Sequence, residues 1–175
     1  MALVLSGDSP SISGTYQGGV VTSGTAVAST SGTSIDFTSI PSWVKRITVM
    51  FNGVSTSGTS GCLLQLGYQS PVTSTGYVSG TSAVGNNVVG SLTTSTAGVL
   101  ATSGLVAAQT LNGSVIFSTL GSNIWVAQGS TYSSATATFV VAGSVTLSGT
   151  LDRVRITTVN GTDTFDAGSI NILYE

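Results

Sequence analysis

Hydrophobic and polar positions alternate along two clear segments of the chain. In residues 45–56, Ile47, Val49 and Phe51 occupy every second position, and the positions between them form a second face. Residues 169–174 repeat this pattern at the end of the chain. A period of two is typical of a β-strand that is covered on one face. Both segments are therefore predicted to be strands.

Several other segments are rich in β-branched and aromatic residues, which favour strands. They are residues 63–68, 114–120, 124–130, 136–147 and 152–159. No window of a dozen residues shows the spacing of an amphipathic helix. Two stretches rich in Gly, Ser and Thr, residues 70–75 and 80–101, are predicted to be longer loops.

Turn residues separate three pairs of strand-like segments. Asn112-Gly113 and Asn160-Gly161 each stand between two such segments, and Asn-Gly is favoured in type I′ hairpin turns because both residues tolerate a positive φ. Gly121-Ser122-Asn123 separates another pair. Three hairpins in the second half of the chain predict an antiparallel sheet with local pairing.

The order of these elements predicts the fold class. Many short strands without helices indicate an all-β protein, and we predict an antiparallel β-sandwich of jelly-roll-like type. A length of 175 residues suits one domain. We expect a single β-sandwich domain at residues 21–175, preceded by an N-terminal arm at residues 1–20.

Charged residues are scarce in this chain. It has four Lys or Arg, six Asp or Glu and no His, whereas 41% of its residues are hydrophobic. Nucleic-acid binding needs several basic side chains on one face, so no nucleic-acid partner is expected. No apolar run approaches the ~20 residues of a membrane-spanning helix, so no membrane insertion is expected. A low charge favours close packing of identical copies, which predicts a homo-oligomer.

Few side chains are suited to catalysis. The absence of His excludes Ser-His-Asp and Cys-His nucleophiles, and Cys62 is predicted to be a buried hydrophobe. The two carboxylates that glycoside hydrolysis requires would have to be Asp163 and Asp166, whose turn is also a conceivable calcium site. The alternative is that the acids cap turns or pair with Arg153 and Arg155. We predict that the chain is not an enzyme and expect no cofactor or metal.

Aromatic side chains are candidates for sugar or receptor contact, because sugars bind exposed aromatic faces flanked by polar groups. Tyr77 and Tyr132 stand beside Gly-, Ser- and Thr-rich stretches, and Tyr68 ends a predicted strand. These three tyrosines are the predicted contact residues. The other two candidates, Trp43 and Trp125, are predicted to pack in the core or in a sheet, and Tyr174 is predicted to pack inside.

Two long segments resemble phage virion proteins of the tail-fibre type. They are TSIDFTSIPSWVKRITVMFNGVSTSGTS at residues 33–60 and LSGTLDRVRITTVNGTDTFDAGSINILYE at residues 147–175. The opening MALVLSGDSPSISG is similar to the short start of such fibre proteins. The resemblance implies a structural or receptor-contacting protein, commonly a homotrimer, with a β-rich module near the fibre's C-terminus.

The resemblance and the composition lead to one expected function with two alternatives. We expect a virion component, a tail fibre or fibre-like appendage, that contacts other virion proteins and a host-surface glycan. Its arm would attach to the particle through Leu3, Val4, Leu5 and Ile12. Because no secretory signal opens the chain, we expect synthesis in the host cytoplasm. The chain has no long shaft repeat, so a capsid-decoration protein and a non-catalytic carbohydrate-binding module stay open as alternatives.

Overall fold

The protein is an all-β antiparallel sandwich, as the sequence predicts. The computed structural model describes residues 21–85, 88–107, 109–134 and 137–175, and these residues form no helix. They contain fourteen strands: β1 (Thr22–Ser23), β2 (Val27–Ala28), β3 (Ser34–Phe37), β4 (Arg46–Thr56), β5 (Cys62–Gly67), β6 (Val78–Gly85), β7 (Val88–Val89), β8 (Thr93–Ser95), β9 (Val99–Leu100), β10 (Leu111–Gly121), β11 (Ile124–Ser133), β12 (Ala137–Thr146), β13 (Arg153–Thr158) and β14 (Phe165–Tyr174).

The strands form two sheets of unequal width. The large sheet has ten strands in the order β1-β14-β4-β10-β11-β12-β6-β7, with β2 also paired to β14 and β8 also paired to β6. The small sheet has the order β3-β13-β5-β9. The chain changes sheet repeatedly, as in a jelly roll, but β10, β11 and β12 form a meander within the large sheet.

The hydrophobic core lies between the two sheets. Alternate residues of β4 point into it, so Ile47, Val49 and Phe51 are buried as the pattern predicts. From the small sheet, the cross-strand pair formed by Val154 and Leu66 is fully buried. Each such aliphatic side chain contributes about 1.5–3 kcal/mol through its burial. The core therefore requires both sheets.

One of the three predicted hairpins has the expected form. Ser122 and Asn123 both have positive φ and connect β10 to β11, which pair from end to end except for an irregularity between Thr119 and Gly121. Two consecutive positive-φ residues match the twist of a two-residue hairpin. The Gly121-Ser122-Asn123 prediction is confirmed.

The prediction of a turn at Asn112-Gly113 is wrong. Both residues lie inside β10, where Gly113 has a φ of 121° and the register to β4 shifts, as in a β-bulge. The Asn112 side chain accepts a hydrogen bond from the N–H of Gly53 on β4 at 2.9 Å. The positive φ is thus used to bend a continuous strand, not to reverse the chain.

Asn160-Gly161 does form a turn, but the predicted hairpin is wrong. Gly161 has a φ of 67°, and its N–H donates to the carbonyl of Thr158 at 3.0 Å. The strands on either side, β13 and β14, belong to different sheets. The turn therefore carries the chain from the small sheet to the large one.

The second predicted loop is also wrong. Residues 80–101 contain most of β6 and all of β7, β8 and β9, and Val99 and Leu100 are buried. Here the inward positions of β6 are occupied by Ser79 and Thr81 instead of hydrophobic residues, so the alternation that marks a strand is absent. Residues 70–75 contain no strand, in agreement with the first predicted loop.

Candidate functional site

The outward positions of β10, β11, β12 and β6 form a broad surface that we call the uncharged face. Register places them in rows across four strands, for example Ser114, Ser130, Val140 and Ser82. Its residues are small, hydroxylated or apolar apart from the amide of Gln128, and they are Val78, Gly80, Ser82, Ser114, Ile116, Ser118, Val126, Gln128, Ser130, Tyr132, Thr138, Val140, Ala142 and Ser144.

Sequence reasoning missed this surface, although a signal for it exists. No Asp, Glu, Lys, Arg or His occurs between Arg46 and Asp152. That interval includes every residue from β5 to β12, so no strand of the uncharged face carries a charge. The composition shows only that the whole chain has few charged residues. The order of residues shows in addition that the interval without charged residues covers particular strands.

The uncharged face includes an apolar groove of about 410 Å³ between β6 and β12. Val78, Ala142 and Leu92 line the groove, and Val78 is 75% exposed. Val140, on the neighbouring row, is 55% exposed. A monomer leaves single apolar residues on its surface, but their concentration in a groove on one sheet is typical of an interaction surface.

The outer side of the small sheet is different, because it carries two of the three ion pairs found among the described residues. The guanidinium of Arg155 donates from Nε and Nη2 to the two carboxylate oxygens of Asp36, at 2.7 and 3.0 Å. This bidentate interaction with Asp36 raises the pKa of Arg155. Next to it, Arg153 Nε donates to Asp152 at 2.7 Å. These charged side chains contrast with strands β10, β11, β12 and β6 of the large sheet, which carry no charged residue.

The three predicted contact tyrosines do not form one site. Tyr77 is 1% exposed, and its hydroxyl accepts from the N–H of Leu66 at 2.7 Å and donates to the carbonyl of the same residue at 3.3 Å. Burial raises its pKa. The prediction that Tyr77 lies on the surface is wrong. Its ring packs in the core, and its hydroxyl forms hydrogen bonds with the backbone of Leu66 in β5.

The other two tyrosines are exposed, but on different surfaces. Tyr132 is 50% exposed and lies on the uncharged face. Tyr68 is 39% exposed and follows β5 of the small sheet. The two exposed tyrosines therefore lie on different sheets of the sandwich and do not form one exposed patch.

The aromatic residues predicted to pack inside do so to different degrees. Trp125 is buried in the core. Trp43 and Tyr174 are partly buried against the core and contact each other, with ring centroids 5.9 Å apart. The Trp43–Tyr174 pair packs against the edge of the hydrophobic core.

Asp163 and Asp166 have separate structural partners. Asp163 accepts from the N–H of Ser60 at 3.0 Å and from Nδ2 of Asn160 at 2.7 Å, and the bond from Asn160, followed by that from Ser60, lowers its pKa. Asp166 accepts from the hydroxyl of Ser55. Asp163 thus has the turn-stabilising role that the structural alternative predicts, and Asp36 and Asp152 have the predicted arginine partners.

Cys62 is buried, as predicted, and its pKa is raised to about 12 by loss of solvation. A thiol with so high a pKa is a poor nucleophile.

Among the described residues, no three His, Cys, Asp or Glu side chains are grouped to hold a metal ion. Within the same ranges, no helix has the length and hydropathy to cross a bilayer.

The proposed attachment residues Leu3, Val4, Leu5 and Ile12 lie outside the described residues.

Compared with protein-family models, with curated protein sequences and with solved structures, the chain shows no significant match.

Proposed function

We propose that this chain is a non-enzymatic structural subunit of a phage particle, a tail fibre or similar appendage, which assembles with copies of itself through the uncharged face. The observation that carries the proposal is the absence of charge from the four adjacent strands β10, β11, β12 and β6. The resemblance of residues 33–60 and 147–175 to tail-fibre proteins supports the location in a virion.

The free-energy cost of removing a protein surface from water depends on the charge it carries. Burying a charge without a partner costs several kcal/mol, whereas apolar groups and paired hydroxyls are buried at little cost or with a gain. The centres of protein interfaces are accordingly depleted of charged residues. The uncharged face meets this condition across four strands, and the ion-paired outer side of the small sheet does not.

A second copy of the chain is the partner that best fits this surface. A strongly charged partner would find no opposite charge on the uncharged face, so complementarity of charge would be poor. Another copy brings an equally uncharged surface, and its partly buried Ile116 and exposed Val140 side chains match the apolar character of the groove at Val78 and Ala142. We propose a trimer, in which one part of the face meets a different part on the neighbouring copy.

The experiment compares two valines that are equally exposed. Val140 on the uncharged face and Val159 in the turn after β13 are both 55% exposed. Sedimentation equilibrium of the wild-type protein should give a trimer mass. Val140→Glu should shift the protein to monomers, because the carboxylate would be buried without a partner, whereas Val159→Glu should keep the wild-type mass.

Two results would contradict the proposal: a monomeric wild-type protein, or a Val140→Glu variant that associates as well as Val159→Glu does. The location is tested separately by counting copies of the chain per particle with quantitative mass spectrometry. A fibre predicts a small multiple of three. A count tied to the capsid lattice would instead support a capsid-decoration protein, and absence from particles would refute a virion role.

A further inference from the structure

A polar cluster surrounds Tyr68 where β5 ends and β13 begins. Tyr68 and Gln69 follow β5, and Asp152 and Arg153 lie at the start of the neighbouring strand β13. The four side chains include an aromatic ring, an amide, a carboxylate and a guanidinium. We propose that this cluster is a binding site for an uncharged pyranose sugar.

The ring of Tyr68 is fixed against the backbone on one side. A Cβ atom at Gly149 would lie 2.5 Å from Cδ1 of the ring, so the ring lies directly on the glycine, and a larger residue would displace it. Tyr68 as a whole residue is nevertheless 39% exposed. A fixed aromatic ring with exposed surface offers a platform on which the apolar face of a pyranose can stack.

Polar groups beside the ring can bond the hydroxyls of a stacked sugar. Gln69 Nε2 donates to the hydroxyl of Tyr68 at 3.1 Å, which links the amide to the platform. Asp152 accepts one bond on each carboxylate oxygen, from Arg153 Nε and from the N–H of Gln69, and each oxygen has a further lone pair. Among the described residues, the terminal nitrogens of Arg153 have no hydrogen-bond partner and can donate to a ligand.

The cluster is already held in one conformation without a ligand. Gln69 has a φ of 58°, which is uncommon for a residue other than glycine. The Asp152 carboxylate holds this backbone in place by accepting the Gln69 N–H at 3.1 Å. A site ordered in advance loses less conformational entropy on binding, which matters for ligands as small as a monosaccharide.

The charges in the cluster favour an uncharged sugar. Asp152 and Arg153 neutralise each other at 2.7 Å, so the site offers no net charge to a uronic or sialic acid. The carboxylate would accept from sugar hydroxyls and the guanidinium would donate to them, in charge-assisted bonds stronger than neutral ones. Vicinal hydroxyls of a hexose provide both a donor and an acceptor at short spacing.

This inference does not depend on the proposed assembly. Tyr68 follows a strand of the small sheet, whereas the uncharged face belongs to the large sheet. Sugar binding and self-association can therefore fail separately, and both are measured on the same samples.

The test is saturation-transfer NMR of the full chain with three probes: methyl α-D-glucopyranoside, methyl β-D-galactopyranoside and methyl α-D-mannopyranoside. We expect transfer from the protein to the ring protons of at least one probe. Tyr68→Ala should abolish the transfer, and Tyr68→Phe should retain it because the platform remains. Tyr132→Ala, a change at the other exposed tyrosine, is the matched control and should bind as the wild type does.

The outcomes are distinguishable from a folding defect. Circular dichroism and sedimentation should show that Tyr68→Ala keeps the wild-type fold and mass. If Tyr68→Ala does not fold, Gln69→Ala takes its place in the experiment. Gln69→Ala should weaken the saturation transfer to the sugar. The absence of transfer from the wild-type protein to all three probes would overturn the proposal. Equal transfer in wild type and Tyr68→Ala would also overturn it, since the sugar would then bind elsewhere.

Discussion

Ser79 and Thr131 occupy buried positions at which a sandwich strand usually carries a hydrophobic side chain. The hydroxyl of Ser79 donates to the carbonyl of Gly98 at 2.8 Å, and that of Thr131 donates to the carbonyl of Ala101 at 2.6 Å. A buried hydroxyl is costly unless it is bonded, so these contacts allow polar residues into the interior. They also tie the segment around β9 to β6 and β11.

Asp163 should make the stability of the protein sensitive to acid. Its folded-state pKa is lowered, so the ionised carboxylate stabilises the folded state above the unfolded value of about 3.9, and this contribution is lost as pH falls through the folded pKa. Urea unfolding between about pH 5 and about pH 2 should show a smaller loss of stability for Asp163→Asn than for the wild type. Parallel curves for the two proteins would contradict this assignment.

At the scale of elements, glycines decide where strands bend and how closely they approach. Gly113 in β10 would place a Cβ atom 2.5 Å from the carbonyl oxygen of Ser130, and Gly129 in β11 would place one 2.4 Å from that of Ser114. Only Gly113 has a positive φ of these two. The hairpin of β10 and β11 therefore depends on glycine for two different reasons.

Gly129→Ala should destabilise the protein by about 1–3 kcal/mol, the usual cost of forcing atoms into a packed site. The new methyl group would meet backbone atoms of β10, which cannot move without disturbing the pairing. Gly104→Ala is the control, because its nearest atom is 3.4 Å away and its φ is not positive. Chemical denaturation measures the free energy of unfolding of both variants. Equal values for Gly129→Ala and Gly104→Ala would show that β10 and β11 can move apart without a loss of stability.

The prediction of turns from sequence was limited by what an Asn-Gly pair encodes. Asn112-Gly113 and Asn160-Gly161 both provide a positive φ at glycine, and the structure uses one in a bulge and the other in a connection between sheets. The local sequence specifies a backbone conformation. Which strands lie on either side depends on packing between residues far apart in the chain, such as Gly113 against β4 and β11.

For the whole molecule, the arrangement of charge is more informative than its amount. The described ion pairs lie on the small sheet or at the margins of the large one, as with Arg46 and Glu175 at 2.9 Å. The uncharged face is therefore a property of the assembled sandwich. Its interactions with another copy would depend on apolar contact and hydroxyl hydrogen bonds.

Self-association through this face should be insensitive to sodium chloride. Raising the salt from about 0.1 M to about 1 M shortens the Debye length from about 10 Å to about 3 Å and weakens contacts between charges. The dissociation constant from sedimentation should stay constant over that range, and ammonium sulfate should lower it because sulfate strengthens apolar burial. A marked weakening of association by sodium chloride would assign the interface to the charged side of the small sheet.

Period-two alternation was sufficient to identify the strands with regular hydrophobic positions, and with them the all-β sandwich class, because alternate burial leaves a direct trace in the sequence. β6 and β9 left no such trace, since hydroxyls or short runs occupy their buried positions. The sequence also contains the long gap in charge between Arg46 and Asp152. Only the tertiary structure decided that β6, β10, β11 and β12 from this uncharged interval share one side of a sheet, that Tyr77 is internal, and that Tyr68 lies beside Asp152 and Arg153, because each depends on how the strands pack together.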